Sequence, residues 1–385
     1  MSRVAIVGAG MSRFGARPEG AKELFAEAFA RAASTVDRNF EARLVQEAYV
    51  GSMSFGGSQI GNPASLWVEH VGLRGVPARR VENACASSGF ALRDAYLAVR
   101  SGEIDVALVG GVEKMNDLPP IHQRYWLGAS GDTPWERLAG LTFSGVYALL
   151  ASRHMHEFGT KPESLAAVAV KNHAHGARNE NAQFQKAITM EQALSSPFVA
   201  EPLRLFDCCS TTDGAAVVLV ASEAKAREFT DTPVWIEGAG AATDHIAVHD
   251  RPSLTRLDAT VAASREAYRR AGVRPQELDL AEVHDCFTIA EILATEDLGL
   301  CAKGQGGSFA LEKRGDYGGD LVVNPSGGLK AKGHPLGATG AAQAVEAFLQ
   351  LRGRAGKRQV PDAETALCHN VGGSGATCAV HVLGV

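Results

Sequence analysis

The sequence lacks the features that mark several large classes of protein. Its 385 residues include 38 basic and 43 acidic side chains, a formal net charge of −5, so it has no basic surplus to attract nucleic acid. No apolar run approaches the length of a membrane span. No signal peptide precedes the strand-like residues 4–7, and the last residues are not a peroxisomal address. We therefore expect a cytoplasmic protein that works without nucleic acid or a membrane as partner.

Cysteine is also sparse. Seven cysteines scattered over 385 residues do not form the pattern of a disulfide framework, which indicates reduced thiols. Five side chains have the chemistry of metal ligands: Cys85, Cys286, His284, His334 and His369. No pair among them shows the C-x-x-C or H-x-x-x-H spacing typical of zinc sites, although His284 and Cys286 lie two residues apart. We predict no bound metal, with zinc as the alternative.

The order of hydrophobic patterns is typical of an α/β fold. Residues 4–10 form a buried-strand pattern, a helical pattern follows at about residues 22–36, and further strand patterns occupy residues 47–51 and 105–111. Strands that alternate with helices predict a sheet covered by helices. The glycine turn after the first strand lacks the third glycine of a dinucleotide-binding fingerprint, because Arg13 stands in its place.

The second half of the chain repeats the first half. Residues 234–240 match residues 4–10 in register at Val, Ile, Gly, Ala and Gly, and further landmarks recur in the same order. These are residues 266–271 with 27–32, 340–353 with 89–102, 371–373 with 109–111, and 375–383 with 214–222. Ordered matches of this kind indicate two copies of one strand–helix unit.

The first copy carries about a hundred residues that the second copy lacks. The stretch is polar and irregular, and an insertion of that length at one end of a sheet is usually a functional cover. We predict three parts: residues 1–115 with 212–232 as the N-terminal half, 116–211 as an inserted domain, and 233–385 as the C-terminal half. Four bases of the insertion are either contacts for a polyanionic ligand or solvated surface groups: Lys161, Lys171, Arg178 and Lys186.

Cys85 is the first candidate for a reacting group. It lies in the stretch Asn83-Ala-Cys85-Ala-Ser-Ser-Gly89, between an extended segment and a helical run. Free backbone N–H groups and the positive end of a helix dipole favour a thiolate at such a place. Small neighbours let a substrate approach the backbone closely. A buried structural cysteine is the alternative interpretation of this stretch.

Three polar stretches of the second copy hold the other candidates. His284 and Cys286 follow a strand pattern and open an acidic helix, and His334 lies in a glycine-rich loop that leads onto a helix. His369 falls in residues 368–375, which we predict to be a polar insertion between two strands. By the internal repeat His334 stands opposite the turn that holds Cys85. We therefore predict that Cys85 and His334 face each other at two helix ends.

At these residues the sequence resembles the thiolases. The resemblance rests on the stretch around Cys85, on Gly333-His-Pro-Leu-Gly-Ala-Thr-Gly340 and on the repeat, and it runs from end to end. The insertion corresponds to the thiolase loop domain. The chain is most similar to the sterol-carrier-protein type and the archaeal acetoacetyl-CoA thiolases. Those carry His-Asp-Cys-Phe, as at residues 284–287, and His-Asn, as at residues 369–370, where other thiolases have Asn-Glu-Ala-Phe and a Cys-x-Gly cysteine.

The resemblance implies a fold, an activity and partners. The fold would be α/β, with two βαβαβαββ halves in a layered αβαβα core. The activity would be that of an acyl-CoA:acetyl-CoA C-acyltransferase, which makes or cleaves acetoacetyl-CoA or other 3-ketoacyl-CoAs. Its substrates would be coenzyme A thioesters, with no permanently bound cofactor and with the inserted domain binding CoA. A homodimer or a dimer of dimers is expected, and the archaeal relatives assemble with a hydroxymethylglutaryl-CoA synthase through a small OB-fold protein.

The resemblance and the demands of a Claisen condensation together suggest a role for each candidate. Cys85 would be the nucleophile, since a thiolate exchanges with a thioester at little cost, and His334 would accept its proton and later bind the thioester oxygen. His284 would be the second donor to the enolate. Cys286 would remove the α-proton, with His369 as the partner that keeps it a thiolate, and the alternative is that His369 is the base. The remaining roles are the tetrahedral oxyanion site, formed by the N–H of Cys85 and of Gly372 or Gly373, and structural support from Asn324 and Asn370.

Four other functions are alternatives. A degradative thiolase for longer or branched 3-ketoacyl-CoAs would use the same residues. A condensing enzyme that acts on acyl carrier protein would lack the cysteine at position 286. A non-catalytic scaffold subunit, or a lyase that works without an acyl-enzyme, would not need Cys85.

Overall fold

The computed structural model describes residues 3–57 and 59–385. In this part of the chain the strands are β1 (Val4–Met11), β2 (Glu47–Gly51), β3 (Ala78–Val81), β4 (Val106–Glu113), β5 (Phe198–Ala200), β6 (Leu203–Arg204), β7 (Gly214–Ser222), β8 (Val234–Thr243), β9 (Leu280–Glu282), β10 (Val322–Val323), β11 (Thr365–Gly372) and β12 (Thr377–Gly384). The α-helices are α1 (Ala21–Ser34), α2 (Pro63–His70), α3 (Ser87–Ser101), α4 (Pro120–Gly128), α5 (Phe143–Phe158), α6 (Pro162–Gly176), α7 (Met190–Ser195), α8 (Glu223–Phe229), α9 (Asp258–Ala271), α10 (Thr288–Asp297), α11 (Gly306–Leu311), α12 (Gly328–Ala331) and α13 (Thr339–Leu351).

Ten of these strands form one sheet, whose order reads β10-β9-β11-β12-β8-β1-β7-β4-β2-β3. Read from either outer edge, the two halves have the same order, with β3-β2-β4-β7-β1 matching β10-β9-β11-β12-β8. The halves meet where β1 and β8 run antiparallel over a short ladder that pairs Ala5 with Trp235 and Ile6 with Val234. The predicted duplication is therefore present in the topology. The predicted α/β architecture of two repeated halves is confirmed.

The two halves of the sheet lie on either side of a central pair of helices, and further helices cover their outer faces. Helices α3 and α13 pack against each other in the centre, α1 covers the first half from outside, and α9 covers the second half. Strands β1, β4 and β7 are buried along their whole length, as expected for strands that are covered on both faces. The order of layers across the molecule is accordingly α-β-α-β-α.

The repeated glycines of β1 and β8 let helices pack closely on these strands. A Cβ atom at Gly10 would lie 2.3 Å from the backbone nitrogen of Ala32 in α1, and one at Gly240 would lie 2.0 Å from the carbonyl oxygen of Ala263 in α9. Both contacts are too short for a side chain. The Gly-Ala-Gly motif therefore serves helix–strand packing in both copies.

The predicted insertion, residues 116–211, contains helices α4 to α7 and the β5–β6 hairpin. Their hydrophobic side chains share a core with α10 of the second half, in which Leu150 and Leu165 accompany Ile289 and Leu293. The insertion thus covers the element that follows His284 and Cys286. Among residues 3–57 and 59–385, no helix has the length and apolar character needed to cross a lipid bilayer.

Candidate active site

Cys85 lies in the turn between β3 and α3, as the sequence predicts. The side chain is 1% exposed, and the helix begins two residues later, at Ser87. The preceding residue, Ala84, has a left-handed backbone with φ of 49°. The Cys85 carbonyl oxygen accepts a hydrogen bond of 2.9 Å from Nδ2 of Asn370. A strand of the second copy thus holds the cysteine of the first copy in place.

His334 presents a hydrogen-bond acceptor to the site. Its Nδ1 lies 2.7 Å from Oγ1 of Thr339, and that hydroxyl donates its own proton to the carbonyl oxygen of Pro335 at 2.9 Å. The hydroxyl can only accept from the ring, so Nδ1 carries the ring proton and Nε2 carries the lone pair. This Nε2 atom is buried and has no hydrogen-bond partner in the described part of the chain.

His284 presents the opposite function. Asn370 accepts from the N–H of Gly89 at 3.2 Å, which orients its amide so that Nδ2 donates to Nδ1 of His284 at 3.4 Å. The ring proton of His284 is therefore on Nε2. That atom is also buried without a partner among residues 3–57 and 59–385. One histidine offers a lone pair and the other an N–H.

The three groups converge. Sγ of Cys85 and ring nitrogens of His284 and His334 all lie within 4.8 Å of one another, which confirms the predicted juxtaposition of Cys85 and His334. The set also has the chemistry of a zinc site. However, His284 presents its N–H here, so it would have to change tautomer before it could bind a metal. The arrangement fits acid–base and nucleophilic chemistry as it stands.

Burial sets the charge states of Cys85 and His334. Burial raises the pKa of the Cys85 thiol to about 12, although the N–H of Gly373 acts in the other direction. Burial, together with Lys332, lowers the pKa of His334 to about 3. The expectation that the helix end favours a resting thiolate at Cys85 is therefore wrong, because the cost of removing the charge from water is larger. At neutral pH the pair is a thiol and a neutral imidazole.

Cys286 lies in the loop between β9 and α10 and is fully buried. Burial raises the pKa of its thiol well above the ordinary value, and the Tyr147 hydroxyl opposes that shift. The predicted partnership with His369 is wrong. The His369 ring donates from Nε2 to Oγ1 of Thr260 at 3.0 Å and accepts at Nδ1 from the backbone N–H of His284 at 3.4 Å.

The position of His369 follows from the strand it occupies. Residues 368–372 continue β11, so the prediction of a polar insertion there is wrong. Successive side chains of a strand point to opposite faces. Asn370 therefore faces α3 and Cys85, whereas His369 faces α9 and supports the His284 loop from behind.

Two glycines close the site. A Cβ at Gly372 would lie 2.3 Å from the carbonyl oxygen of Asn83, and one at Gly373 would lie 2.4 Å from that of Ser130. Gly373 also has a φ of 58°, a conformation that favours glycine. Of the two, Gly373 is the residue whose N–H lowers the pKa of the Cys85 thiol. It is thereby the better placed of the two predicted backbone donors.

Buried polar groups hold the loop that carries His284. Oδ1 of Asn324 accepts the N–H of Val283 at 2.8 Å, and its Nδ2 donates to Glu291 at 2.8 Å. Lys171 of the inserted domain forms a salt bridge of 3.0 Å with the same glutamate and is 5% exposed. Asn324 therefore links the loop of His284 to Glu291, and Lys171 is unavailable to a polyanionic ligand.

Sequence reasoning missed Glu113, at the end of β4. Its buried carboxylate accepts backbone N–H groups from Met53 at 2.9 Å, Phe55 at 2.8 Å and Gly337 at 2.9 Å. It thus ties the turn after His334 to the first copy. The sequence did offer a signal for Glu113, which is an acidic residue at the end of a buried strand pattern. Tyr147 was also missed, since a single tyrosine in an insertion without a repeat gives no such signal.

A cleft of about 570 Å³ lies beside the inserted domain. Its lining includes His173, Phe184, Lys186, Ile188, Leu205 and Phe206. Gln183 at its edge accepts from Oγ1 of Thr212 at 2.6 Å, and the same hydroxyl accepts the N–H of His334 at 3.0 Å. The cleft is therefore two hydrogen bonds away from His334. Among the four predicted bases, Lys186 lines it and Arg178 instead covers the ring of Tyr317.

Comparison with known families agrees with this site. A family model described as "Thiolase, N-terminal domain" matches residues 4–224, and one described as "Thiolase C-terminal domain-like" matches residues 240–385. The chain therefore belongs to the thiolase family of acyl-transferring enzymes.

Individual relatives cover nearly the whole chain. An acetyl-CoA acetyltransferase of Methanothermobacter thermautotrophicus is 46% identical over 384 residues, with 99% of both chains covered. One of Methanocaldococcus jannaschii is 42% identical over 396 residues, covering 100% of this chain and 99% of the relative. Sterol carrier protein 2 of Bos taurus is 37% identical over 397 residues, covering 97% of this chain and 71% of that protein.

Solved structures share the fold. One described as the Ltp2-ChsH2(DUF35) aldolase has a TM-score of 0.87 at 24% identity and covers 100% of this chain and 98% of its own. A monomeric SCP2-thiolase like protein type 1 from Mycobacterium smegmatis has a TM-score of 0.77 at 17% identity, covering 99% of this chain and 77% of its own. At these identities the likeness concerns the fold alone.

Proposed function

We propose that this thiolase is an acetyl-CoA C-acetyltransferase that joins two acetyl groups into acetoacetyl-CoA, or cleaves that product, through an acyl-enzyme at Cys85. The observation that carries the proposal is the pair of free Nε2 atoms beside the Cys85 sulfur. Nε2 of His334 carries a lone pair that can take the thiol proton, and Nε2 of His284 carries a hydrogen that can bind an oxyanion. The names of the two archaeal relatives support acetyl-CoA as the substrate.

Acylation begins with the neutral pair. The Cys85 proton moves to Nε2 of His334 as the sulfur attacks the carbonyl carbon of acetyl-CoA. The backbone N–H groups of Cys85 and Gly373 hold the oxyanion of the tetrahedral intermediate. The C–S bond to coenzyme A breaks, and the departing thiolate takes a proton from Cys286. The site then holds an acetyl thioester, an imidazolium at His334 and a thiolate at Cys286.

Condensation returns every proton to its start. A second acetyl-CoA places its thioester oxygen against the Nε2–H groups of His284 and His334, which stabilise the enolate that forms when Cys286 removes the α-proton. The carbanion attacks the acetyl group, and the Cys85 thiolate that leaves regains a proton from His334. Removing one such oxyanion donor typically costs about 3–4 kcal/mol of transition-state stabilisation. All steps are reversible, so the same residues serve synthesis and cleavage.

The cleft beside the inserted domain is our candidate for the coenzyme A site. Its walls combine the apolar rings of Phe184 and Phe206 with the Lys186 ammonium, which suits a pantetheine chain that ends in phosphates. Residues 1–115 with 212–232 would then supply the nucleophile, 116–211 the coenzyme A site, and 233–385 the acid–base groups. No permanently bound cofactor is needed for this chemistry.

A degradative thiolase for longer or branched 3-ketoacyl-CoAs is the second candidate. The 37% identity with sterol carrier protein 2 favours it. The two functions use the same catalytic groups and differ in the acyl chain that the site admits. A cytoplasmic location suits either function.

A homodimer or a dimer of dimers is the proposed assembly, together with a hydroxymethylglutaryl-CoA synthase bridged by a small OB-fold protein. In support, the chain shares its fold with a thiolase-like subunit that is described together with a DUF35 protein. Light scattering of the purified chain should give at least twice the chain mass. A fully active monomer would contradict the dimer.

Mass spectrometry of the intact protein tests the proposed function. Incubation with acetyl-CoA should add one acetyl group, mapped to Cys85. The adduct should be absent in Cys85→Ser, because a serine hydroxyl is less acidic and less nucleophilic than the thiol that His334 deprotonates. Parallel incubations with longer 3-ketoacyl-CoAs show which acyl chains the site admits. An acetyl group mapped to Cys286 or Cys368 instead would refute the mechanism.

A further inference from the structure

We propose that Arg251 is a positioning residue, which orients and polarises the N–H of Gly373 through a chain of two peptide units. The inference rests on the proposed function, in which this N–H helps to hold the oxyanion that forms when Cys85 is acylated. It adds to the site a side chain from residues 244–251, a segment that contains none of the site residues predicted from the sequence.

The Arg251 guanidinium is directed at residues 373–376, the turn that joins β11 to β12. Nη1 donates to the Ser374 carbonyl oxygen at 2.6 Å, and Nη2 donates to the Ser374 hydroxyl at 2.9 Å. Nε donates to the carbonyl oxygen of His245 at 2.9 Å. Arg251 and Ser374 are both buried, so water competes little for these bonds. Within the described part of the chain, the cation therefore serves neutral acceptors rather than a carboxylate.

A hydrogen bond within the turn connects this contact to Gly373. The Ser374 carbonyl group belongs to the same peptide unit as the Gly375 N–H, which donates to the Gly372 carbonyl oxygen at 3.2 Å. The Gly372 carbonyl group in turn shares a peptide unit with the Gly373 N–H. Because peptide units are planar, the orientation of the Ser374 carbonyl group constrains that of the Gly373 N–H. Arg251 thereby acts on this N–H across two peptide units.

The same chain of bonds transmits polarisation. A charged donor draws electron density toward the carbonyl oxygen that it binds, which makes the N–H of that peptide unit a stronger donor. Here the guanidinium polarises the unit of Ser374 and Gly375 and, through it, the unit of Gly372 and Gly373. An oxyanion in the site would therefore be bound more strongly than by the N–H of an unsupported turn.

The turn has little rigidity of its own. Gly373 and Gly375 have φ of 58° and 104°, and glycine has no side chain that could hold such a conformation. The strand end nevertheless lies directly on the turn before α3. A Cβ at Gly372 would be 2.3 Å from the carbonyl oxygen of Asn83 and 3.3 Å from Cβ of Ala86. A small rotation of these peptide units would turn the Gly373 N–H away from the site without unfolding the backbone.

Two replacements of Arg251 test the inference. Arg251→Ala removes the donors and the charge, while Oη of Tyr147 still holds the Gly373 carbonyl oxygen at 2.9 Å. Arg251→Lys keeps the charge, but a single nitrogen cannot reach three separate acceptors, and this variant serves alone if the alanine variant does not fold. Arg358→Lys is the matched control, because Arg358 is also buried and bonds Glu346 at 2.9 Å instead of the turn.

Three measurements follow different steps. Single-turnover acetyl uptake at Cys85, with saturating acetyl-CoA, reports acylation. The infrared stretching frequency of an isotope-labelled acetyl carbonyl on Cys85 reports the hydrogen bonds to its oxygen. Deuterium exchange into the methyl group of an unreactive acetyl-CoA analogue reports enolate formation. The proposed mechanism places the enolate oxygen against His284 and His334 rather than Gly373, so exchange serves as an internal control.

We expect Arg251→Ala to take up the acetyl group about 30-fold more slowly than wild type and Arg251→Lys about tenfold more slowly, both less than for loss of a whole oxyanion donor. The carbonyl frequency should rise in both. Exchange in these variants, and all three readouts in Arg358→Lys, should stay within about threefold of wild type or unshifted.

Three results would overturn the inference. They are acetyl uptake at the wild-type rate in the Arg251 variants, an unchanged carbonyl frequency, and a fall in uptake that is matched by an equal fall in exchange. The last result would show general damage to the site. The proposed function fails separately, if wild type itself takes up no acetyl group at Cys85.

Discussion

His284 and His334 lie edge to face, with ring centroids 5.0 Å apart and planes at 82°, and they present opposite functions at equivalent atoms. Asn370 fixes one tautomer and Thr339 fixes the other. A pair of identical side chains thereby presents a lone pair and an N–H to the site, which suits the base and the oxyanion donor of the proposed mechanism. The assignment depends on their neighbours rather than on the histidines themselves.

Replacement of His284 separates its donor function from its bulk. We expect His284→Ala to lower kcat for acetoacetyl-CoA synthesis by about 10²- to 10³-fold, as for loss of one oxyanion donor. His284→Asn keeps an N–H donor and should retain more activity than the alanine variant. Steady-state kinetics of both variants provide the comparison. Equal activity of the two would show that His284 does not act as a donor.

The rate of Cys85 acetylation should hardly depend on pH. The raised pKa of Cys85, about 12, and the lowered pKa of His334, about 3, keep the neutral pair dominant between those values. Acetyl uptake measured in single-turnover experiments should therefore vary by less than about threefold from pH 6 to 9. A sharp rise with an inflection near pH 7 would indicate a resting thiolate–imidazolium pair instead.

Cys286 and His369 should give different defects. Cys286→Ala should still take up an acetyl group at Cys85, more slowly than wild type, and should lose deuterium exchange because no base remains. His369→Ala should lower the rate of deuterium exchange without moving the alkaline inflection of its pH profile. The reason is that the His369 ring contacts the backbone of His284 and not Cys286. Acetyl uptake and exchange, both followed by mass spectrometry, separate the two. A shifted inflection in His369→Ala would restore His369 as the partner of Cys286.

His381 should reduce stability in acid. Burial lowers its pKa to about 3, below the ordinary value of about 6.5. Between these values the unfolded chain binds the extra proton, so stability falls as the pH drops through that window. From pH 7 to pH 4.5 this one group removes about 2–3 kcal/mol. Between pH 7 and pH 4.5, the free energy of unfolding measured in urea should therefore fall by about 2–3 kcal/mol less in His381→Gln than in wild type. An identical loss in both proteins would contradict this account.

The parts of the fold that the sequence predicts are those that its internal repeat makes visible. The turn that holds Cys85 and the loop that holds His334 occupy equivalent places in the two copies, so their approach could be inferred without coordinates. The direction of the side chains in β11 could not be inferred in this way. Polar residues at 368–370 suggested a loop, and only the continuous strand shows that His369 and Asn370 face opposite sides.

The inserted domain was the least predictable part because it lies outside the internal repeat. It has no counterpart in the second copy, so nothing in the sequence places Tyr147 above Gly373 or Lys171 against Glu291. The charge state of Cys85 was also predicted wrongly. The helix end is visible in the sequence, but the depth of burial that outweighs it is a property of the assembled layers.

Because of the duplication, the residues of the site come from both copies of the unit. The proposed nucleophile, Cys85, belongs to one copy and the histidines belong to the other. The copies share a central helix pair and a short β1–β8 ladder. Neither half holds a usable set of groups alone. Catalysis by this site therefore requires the two halves to pack against each other correctly. A chain whose halves fold correctly but meet in the wrong register would keep its secondary structure and have no activity.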